Sequence, residues 1–206
     1  IDHKVLEFHE YVNLFSGKSG SGKSTVMDAI QVILYGSFSP SFLNKAADDA
    51  KNRRSVLSYL RGEQKDGSAN RKDCDFCSVI ALEIEDTGTH IITCIGIAFE
   101  VRKSDSEIKK FVYFSHSGKM PESEYLTEQG VCYSNQEIKK LVSARTKSDD
   151  NRGKGEVNRI YGSKEAYLGT LYDVILGYID QNRFITMEKS AIALKMTNGT
   201  AVSYTH

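Results

Sequence analysis

The stretch Gly17-Lys18-Ser19-Gly20-Ser21-Gly22-Lys23-Ser24, followed by Thr25, decides how this chain is read. It satisfies the pattern G-x-x-x-x-G-K-[ST] at every constrained position. The glycines let the backbone turn tightly, so that successive N–H groups point into one concavity. A helix beginning near Lys23 adds the positive end of its dipole to that nest. Such an arrangement holds phosphates. Lys23 is expected to reach the β- and γ-phosphates of a nucleotide as a point charge and to be the catalytic lysine. Ser24 is expected to give its hydroxyl to Mg²⁺, and Thr25 to support the α-phosphate side. The candidate ATP-binding set is Gly17, Lys18, Ser19, Gly20, Ser21, Gly22, Lys23, Ser24 and Thr25, and the implied cofactors are ATP and Mg²⁺.

Working outward, Val5, Leu6, Phe8, Tyr11, Val12, Leu14 and Phe15 predict one or two strands over Lys4 to Phe15, ending at Gly17. Thr25 to Tyr35 is apolar nearly all round, with Asp28, Gln31 and Tyr35 as a narrow polar stripe, which predicts a largely buried helix closed by Gly36. Lys45 to Arg61 is a second, more exposed helix with Gly62 as its stop. Cys77 to Glu85, His90 to Val101 and Lys110 to His116 read as three strands of an antiparallel meander, joined by polar turns. Gln136 to Arg145 reads as a short amphipathic helix, and Lys164 to Ile175 and Asn182 to Met196 as two closing helices. The expected fold is α/β, a P-loop NTPase lobe with an antiparallel strand subdomain and C-terminal helices: the lobe with its strand meander over 1–146, a polar linker over 147–162, helices over 163–199, and a tail over 200–206.

Composition narrows the class without naming it. Forty per cent of the 206 residues are apolar and 26% charged, which is ordinary for a chain that buries a core. Lysine plus arginine and aspartate plus glutamate each number 27, so any basic surface must be local. No apolar run approaches the roughly 18 residues of a spanning helix, so no membrane role and a cytoplasmic location are expected. Four cysteines without a secretion signal are expected to be reduced. Ile1 is not an initiator methionine, so the chain reads as a fragment. Val202 to His206 can be encoded as GTC TCT TAT ACA CAT, part of a common transposon-type sequencing adapter, so 200–206 is expected to be non-native.

Binding is not hydrolysis. Turnover needs a carboxylate at the end of a buried strand and a group that orients water. Leu82-Glu83-Ile84-Glu85-Asp86 comes nearest, but its alternation places Glu83 and Glu85 on a solvated face. No Ser-Gly-Gly signature occurs in the chain. A complete catalytic site is not legible.

Several separated blocks resemble the N-terminal half-head of SMC-like ABC ATPases, and among these the MukB-like condensin subunit of Wadjet-type plasmid-defence systems. They are Gly20 to Thr25 with Asp28-Ala29-Ile30-Gln31, Phe42 to Ala47, Arg54 to Gly62, and Ala81-Leu82-Glu83. Asn182 to Met196 resembles the helix that precedes the coiled coil. The resemblance implies that Walker B acids and a signature motif lie in a C-terminal half-head beyond a long coiled coil. The implied partners are that half-head, a second head in a homodimer, accessory condensin-type subunits and double-stranded DNA. Ser19 departs from the asparagine common in that family, and Gln181 lies in helical context where a Q-loop glutamine would follow a strand.

Other candidates stand beside it. Phe42 to Lys72 carries Lys45, Lys51, Arg53, Arg54, Arg61, Lys65, Arg71 and Lys72 against four acids, either a DNA-facing patch or a solvated helix face. Arg53 or Arg54 is a possible nucleotide or DNA contact. Cys74-Asp75-Phe76-Cys77 is a C-x-x-C without a second pair. Two further function classes stay open: a self-contained P-loop kinase or nucleotidase using Glu85 or Asp86 as its metal acid, and a nucleotide-regulated binding module without turnover.

Overall fold

The computed structural model describes residues 3–10, 12–18, 21–40, 43, 54–64, 67–149 and 157–175. Helix α1 spans Lys23–Tyr35 and ends at Gly36. Helix α2, Val56–Arg61, is short and starts at Ser55, whose hydroxyl accepts from the Ser58 N–H at 3.1 Å. Such a cap satisfies a donor that the helix leaves over. The part of the expected second helix from Lys45 to Arg53 lies outside the described residues.

Strands β1 (Phe76–Glu85), β2 (Ile92–Val101) and β3 (Lys110–Ser117) form the expected meander, with register Phe76 to Val101 and Glu85 to Ile92 between the first two. Helix α3 follows over Asn135–Asp149, then β4 over Arg159–Tyr161 and helix α4 over Lys164–Gly169, which continues as a π-helical turn over Thr170–Ile175. The sheet is antiparallel throughout, in the order β1-β2-β3-β4. The stretch expected to be a polar linker is therefore structured at both ends, by the last turn of α3 and by β4. Three residues are too few to show a period of two, which is why β4 left no mark in the pattern. The helix expected over Asn182 to Met196 is outside the described residues.

Alternation along the strands builds two cores. Ile95, Ile97, Phe99 and Val101 of β2 join Tyr113 and Tyr161 against Val32 and Ile33 of α1, with Tyr167 and Leu171. On the other face Ala98 and Phe114 meet Tyr125 and, from α3, Ile138 and Val142. Strand β2 is thus buried on both faces from Thr93 to Phe99, and each large aliphatic side chain it hides contributes about 1.5–3 kcal/mol. Gly96 lets the layers close: a Cβ there would sit 2.5 Å from the Ile80 carbonyl oxygen and 2.7 Å from the Phe114 ring.

One expectation is corrected. Residues 3–10 and 12–18 contain no strand, and Val12 and Leu14 are 78% and 89% exposed. An aromatic-rich segment becomes a strand only where a neighbour takes its N–H and C=O groups, and none of β1 to β4 pairs with it. Asp28, read as part of the narrow polar stripe of a largely buried helix, is itself buried, at 6% exposure. No helix among the described residues is long and apolar enough to cross a membrane.

Candidate functional site

Helix α1 is held at its C-terminal end by tyrosines. Tyr167 donates its hydroxyl to the Ile33 carbonyl at 3.0 Å, Tyr172 to Leu34 at 2.6 Å, and Tyr113 to Gly36 at 2.6 Å. These are carbonyls that a helix end cannot satisfy internally. Burial pushes the Tyr113 phenol up to about 12, so it stays a donor at neutral pH.

The N-terminal end is built differently. Gly22 is the cap residue, at φ 87°, a left-handed conformation that residues with a Cβ adopt at a cost. It offers no side chain, and the first turn contains no acid. The first-turn N–H groups and the dipole end therefore face the loop without a carboxylate or hydroxyl cap, as an anion site requires. Lys23 folds over this end. Its Nζ donates to the carbonyls of Gly17 at 2.6 Å and Lys18 at 2.9 Å, and to Ser21 Oγ at 3.3 Å. All three acceptors are uncharged, so the ammonium is positioned at the loop with its charge unneutralised. Ser24 and Thr25 are exposed beside it. Ser19 and Gly20 lie outside the described residues.

These features fit a nucleoside triphosphate: an uncapped helix end and an unpaired lysine charge for the phosphates, and an exposed Ser24 hydroxyl for Mg²⁺. Among the described residues no group of three or more His, Cys, Asp or Glu side chains is placed to hold a metal.

One turn along α1 from Ser24, the buried Asp28 accepts the Tyr59 hydroxyl of α2 at 2.6 Å. Burial and that carboxylate raise the Tyr59 phenol above its ordinary range. Arg54 lies over the Tyr59 ring, 5.6 Å from its centroid. The contact ties the start of α2 to the P-loop helix. The pair is 31 residues apart, and its only sequence signal was an acid at the i+4 position from Ser24.

The other candidates are distributed as follows. Arg53, Lys45, Lys51, Lys65 and Gln181 lie outside the described residues. Arg61 donates to the carbonyls of Arg102, Lys103 and Asp105, the last at 2.7 Å, and so fastens a loop. Arg71 lies over the Phe76 ring. Asp86 accepts from the N–H groups of Gly88 and Thr89 within its own turn, which hold its carboxyl below the usual range. Glu85 meets His90 at 2.9 Å, and Glu83 accepts from the Met120 N–H at 2.7 Å. All three acids are exposed and engaged at the β1–β2 turn or with the residues that follow β3. Cys74 is exposed, while burial, with Glu100 and Glu137 nearby, pushes the half-buried Cys77 thiol up.

Residues 1–50 match the family model described as the P-loop containing region of an AAA domain. The match takes in the loop and all of α1, and supports nucleotide binding by a P-loop of the NTPase kind. It stops before α2 and the sheet. No curated protein and no solved structure matches the chain.

Proposed function

We propose that this chain is the nucleotide-binding N-terminal half of an ATPase head, of the ABC type found in SMC-like proteins and closest to the MukB-like subunit of Wadjet-type systems. The observation that carries the nucleotide reading is Lys23, bonded only to neutral oxygens over an uncapped helix end inside a complete G-x-x-x-x-G-K-S loop. The finer placement is supported by the resemblance of Arg54 to Gly62, now docked on α1 through Tyr59. It is supported also by the acids near β1, which are engaged at turns rather than gathered for a metal.

In this reading Lys23 and the first-turn N–H groups hold the phosphates and Ser24 holds Mg²⁺. ATP, when bound, supplies a phosphoanhydride whose cleavage drives a mechanical cycle. A C-terminal half-head contributes Walker B acids, and a second head closes on the nucleotide with its signature motif. The assembly, with accessory condensin-type subunits, acts on double-stranded DNA in the cytoplasm.

The test is phosphate release by the 206-residue chain alone in saturating MgATP. Binding without release is expected. Sustained release at ordinary enzymatic rates would contradict the half-head and favour a self-contained kinase or nucleotidase. The coding sequence downstream of Gly199 in the source DNA separates the half-head from a binding module: a long heptad-patterned helix followed by a signature motif is expected, and an early stop contradicts it.

A further inference from the structure

Helix α3 has two unlike faces. Ile138 and Val142 are buried against the sheet, with Leu141 partly so. Opposite them Gln136, Lys139, Lys140, Ser143, Ala144 and Lys147 form one continuous outward face. All six are exposed. Their spacing of three, four, seven, eight and eleven residues is that of one helix face.

The charge on this face is unbalanced by construction. Glu137, the acid of the first turn, accepts from the Ser134 N–H at 2.7 Å and its hydroxyl at 2.8 Å, and interacts with Lys140 electrostatically without forming an ion pair with it. None of Lys139, Lys140 and Lys147 forms an ion pair among the described residues, whereas Lys109 and Lys110 elsewhere pair with Asp105 and Glu100. The whole chain is formally neutral, so three unpaired lysines on one face are not a by-product of bulk charge.

The chemistry of the face selects the partner. It holds no aromatic, arginine or large apolar side chain, the anchors on which protein interfaces depend, and it is rich in lysine, which such interfaces avoid. Lysines, a glutamine and a serine are donors suited to phosphate oxygens. From Lys139 to Lys147 the helix rises about 12 Å, a length over which one strand of duplex presents about three phosphates.

We propose that this face of α3 binds the phosphate backbone of duplex DNA without regard to sequence. The proposal rests on the DNA-acting reading above for its partner, and not on nucleotide binding. It is separate from the patch expected over Phe42 to Lys72, of which Lys45, Lys51, Arg53 and Lys65 lie outside the described residues and Arg61 is engaged with the carbonyls of Arg102, Lys103 and Asp105.

The experiment is anisotropy of a labelled duplex of roughly 30 base pairs titrated with the full chain between roughly 50 and 200 mM salt. Wild type, the triple variant Lys139→Gln, Lys140→Gln, Lys147→Gln, and the control Lys109→Gln, Lys110→Gln are compared. The triple variant is expected to weaken binding about tenfold or more at the lowest salt, and to lower the slope of log K against log salt by about 2.7, while the control changes neither. MgATP affinity of the triple variant is expected to be unchanged, and Lys23→Ala is expected to lose MgATP but keep the duplex. Failure of the nucleotide reading and failure of this surface are therefore seen separately. Absence of duplex binding by wild type, equal binding by the triple variant, or wild-type preference for poly-L-glutamate over duplex would each overturn the proposal. Loss of secondary structure by circular dichroism in the triple variant would move the comparison to Lys147→Gln alone, for which an unchanged slope overturns it.

Discussion

At its C-terminal end α1 gives three carbonyls to the hydroxyls of Tyr113, Tyr167 and Tyr172 inside the larger core. At its N-terminal end the first turn has no side-chain cap, and Lys23 reaches across a solvent-facing loop to neutral oxygens. The same thirteen-residue helix is anchored by three tyrosine hydroxyls at one end and left polar and open at the other. A ligand that brings negative charge to the open end meets a helix already fixed by its far end, so little ordering remains to oppose binding. The difference teaches that stability and binding are separable along one element.

Breaking the anchored end should have the largest effect. Tyr167→Ala removes a 1%-exposed side chain from the core and should cost about 4 kcal/mol, read as a fall in Tm and in the denaturant midpoint. Tyr167→Phe isolates the hydroxyl and should cost about 1–3 kcal/mol, because the Ile33 carbonyl stays buried without that donor. Equal midpoints for Tyr167→Phe and wild type would show that this end is held by packing alone.

A smaller effect sharpens the comparison from the middle of the helix. Tyr59→Phe keeps the ring under Arg54 and deletes the donor to the buried Asp28, at a cost of about 2 kcal/mol in chemical denaturation. It should loosen α2 from α1 with Tyr167 undisturbed, so hydrogen exchange should rise in Val56–Arg61 more than in the last turn of α1. Uniform exchange across both helices would contradict the division.

Much of this was legible, for reasons that differ by element. The loop and α1 were readable because a fixed-spacing motif and an apolar run closed by Gly36 are local signals. The three long strands were readable within about two residues, since their turns are polar and their apolar residues dense. The strand expected over Lys4 to Phe15 was overread: β-propensity measures fit to a sheet surface, and no strand of the sheet pairs with this segment. Contacts across the chain were not legible. Tyr113 meets the Gly36 carbonyl from 77 residues away and Asp28 meets Tyr59 across 31, and no periodicity reports such pairings. The lysine face of α3 was visible as an amphipathic helix, but its lack of acids mattered only once Glu137 was seen turned to Ser134.

The mildest perturbation is acid. His116, on the sheet face opposite α1, is fully buried, with Nε2 2.8 Å from the Tyr125 hydroxyl and Nδ1 3.0 Å from the Ser117 carbonyl. Burial lowers its pKa below the ordinary 6.5; the Ser117 carbonyl and Glu83 oppose that shift, and Arg145 adds to it. The unfolded chain therefore binds a proton near pH 6.5 that the folded chain refuses. Above that pH the group does not affect stability, and on acidification Tm should decline from about pH 6.5, ahead of the carboxylate range. His116→Gln should remove that early decline while leaving MgATP affinity at neutral pH unchanged. A Tm flat down to the carboxylate range in wild type would show that the imidazole is not held neutral.

The central claim is that the open end of α1 is a phosphate site organised by Lys23. Isothermal titration of MgATP into wild type and Lys23→Ala, with circular dichroism and Tm on both, tests it most directly. Saturable binding by wild type, an affinity at least about a hundredfold weaker in Lys23→Ala, and matching spectra and Tm are predicted. Wild-type affinity in Lys23→Ala, or no binding by a folded wild-type chain, would contradict the account.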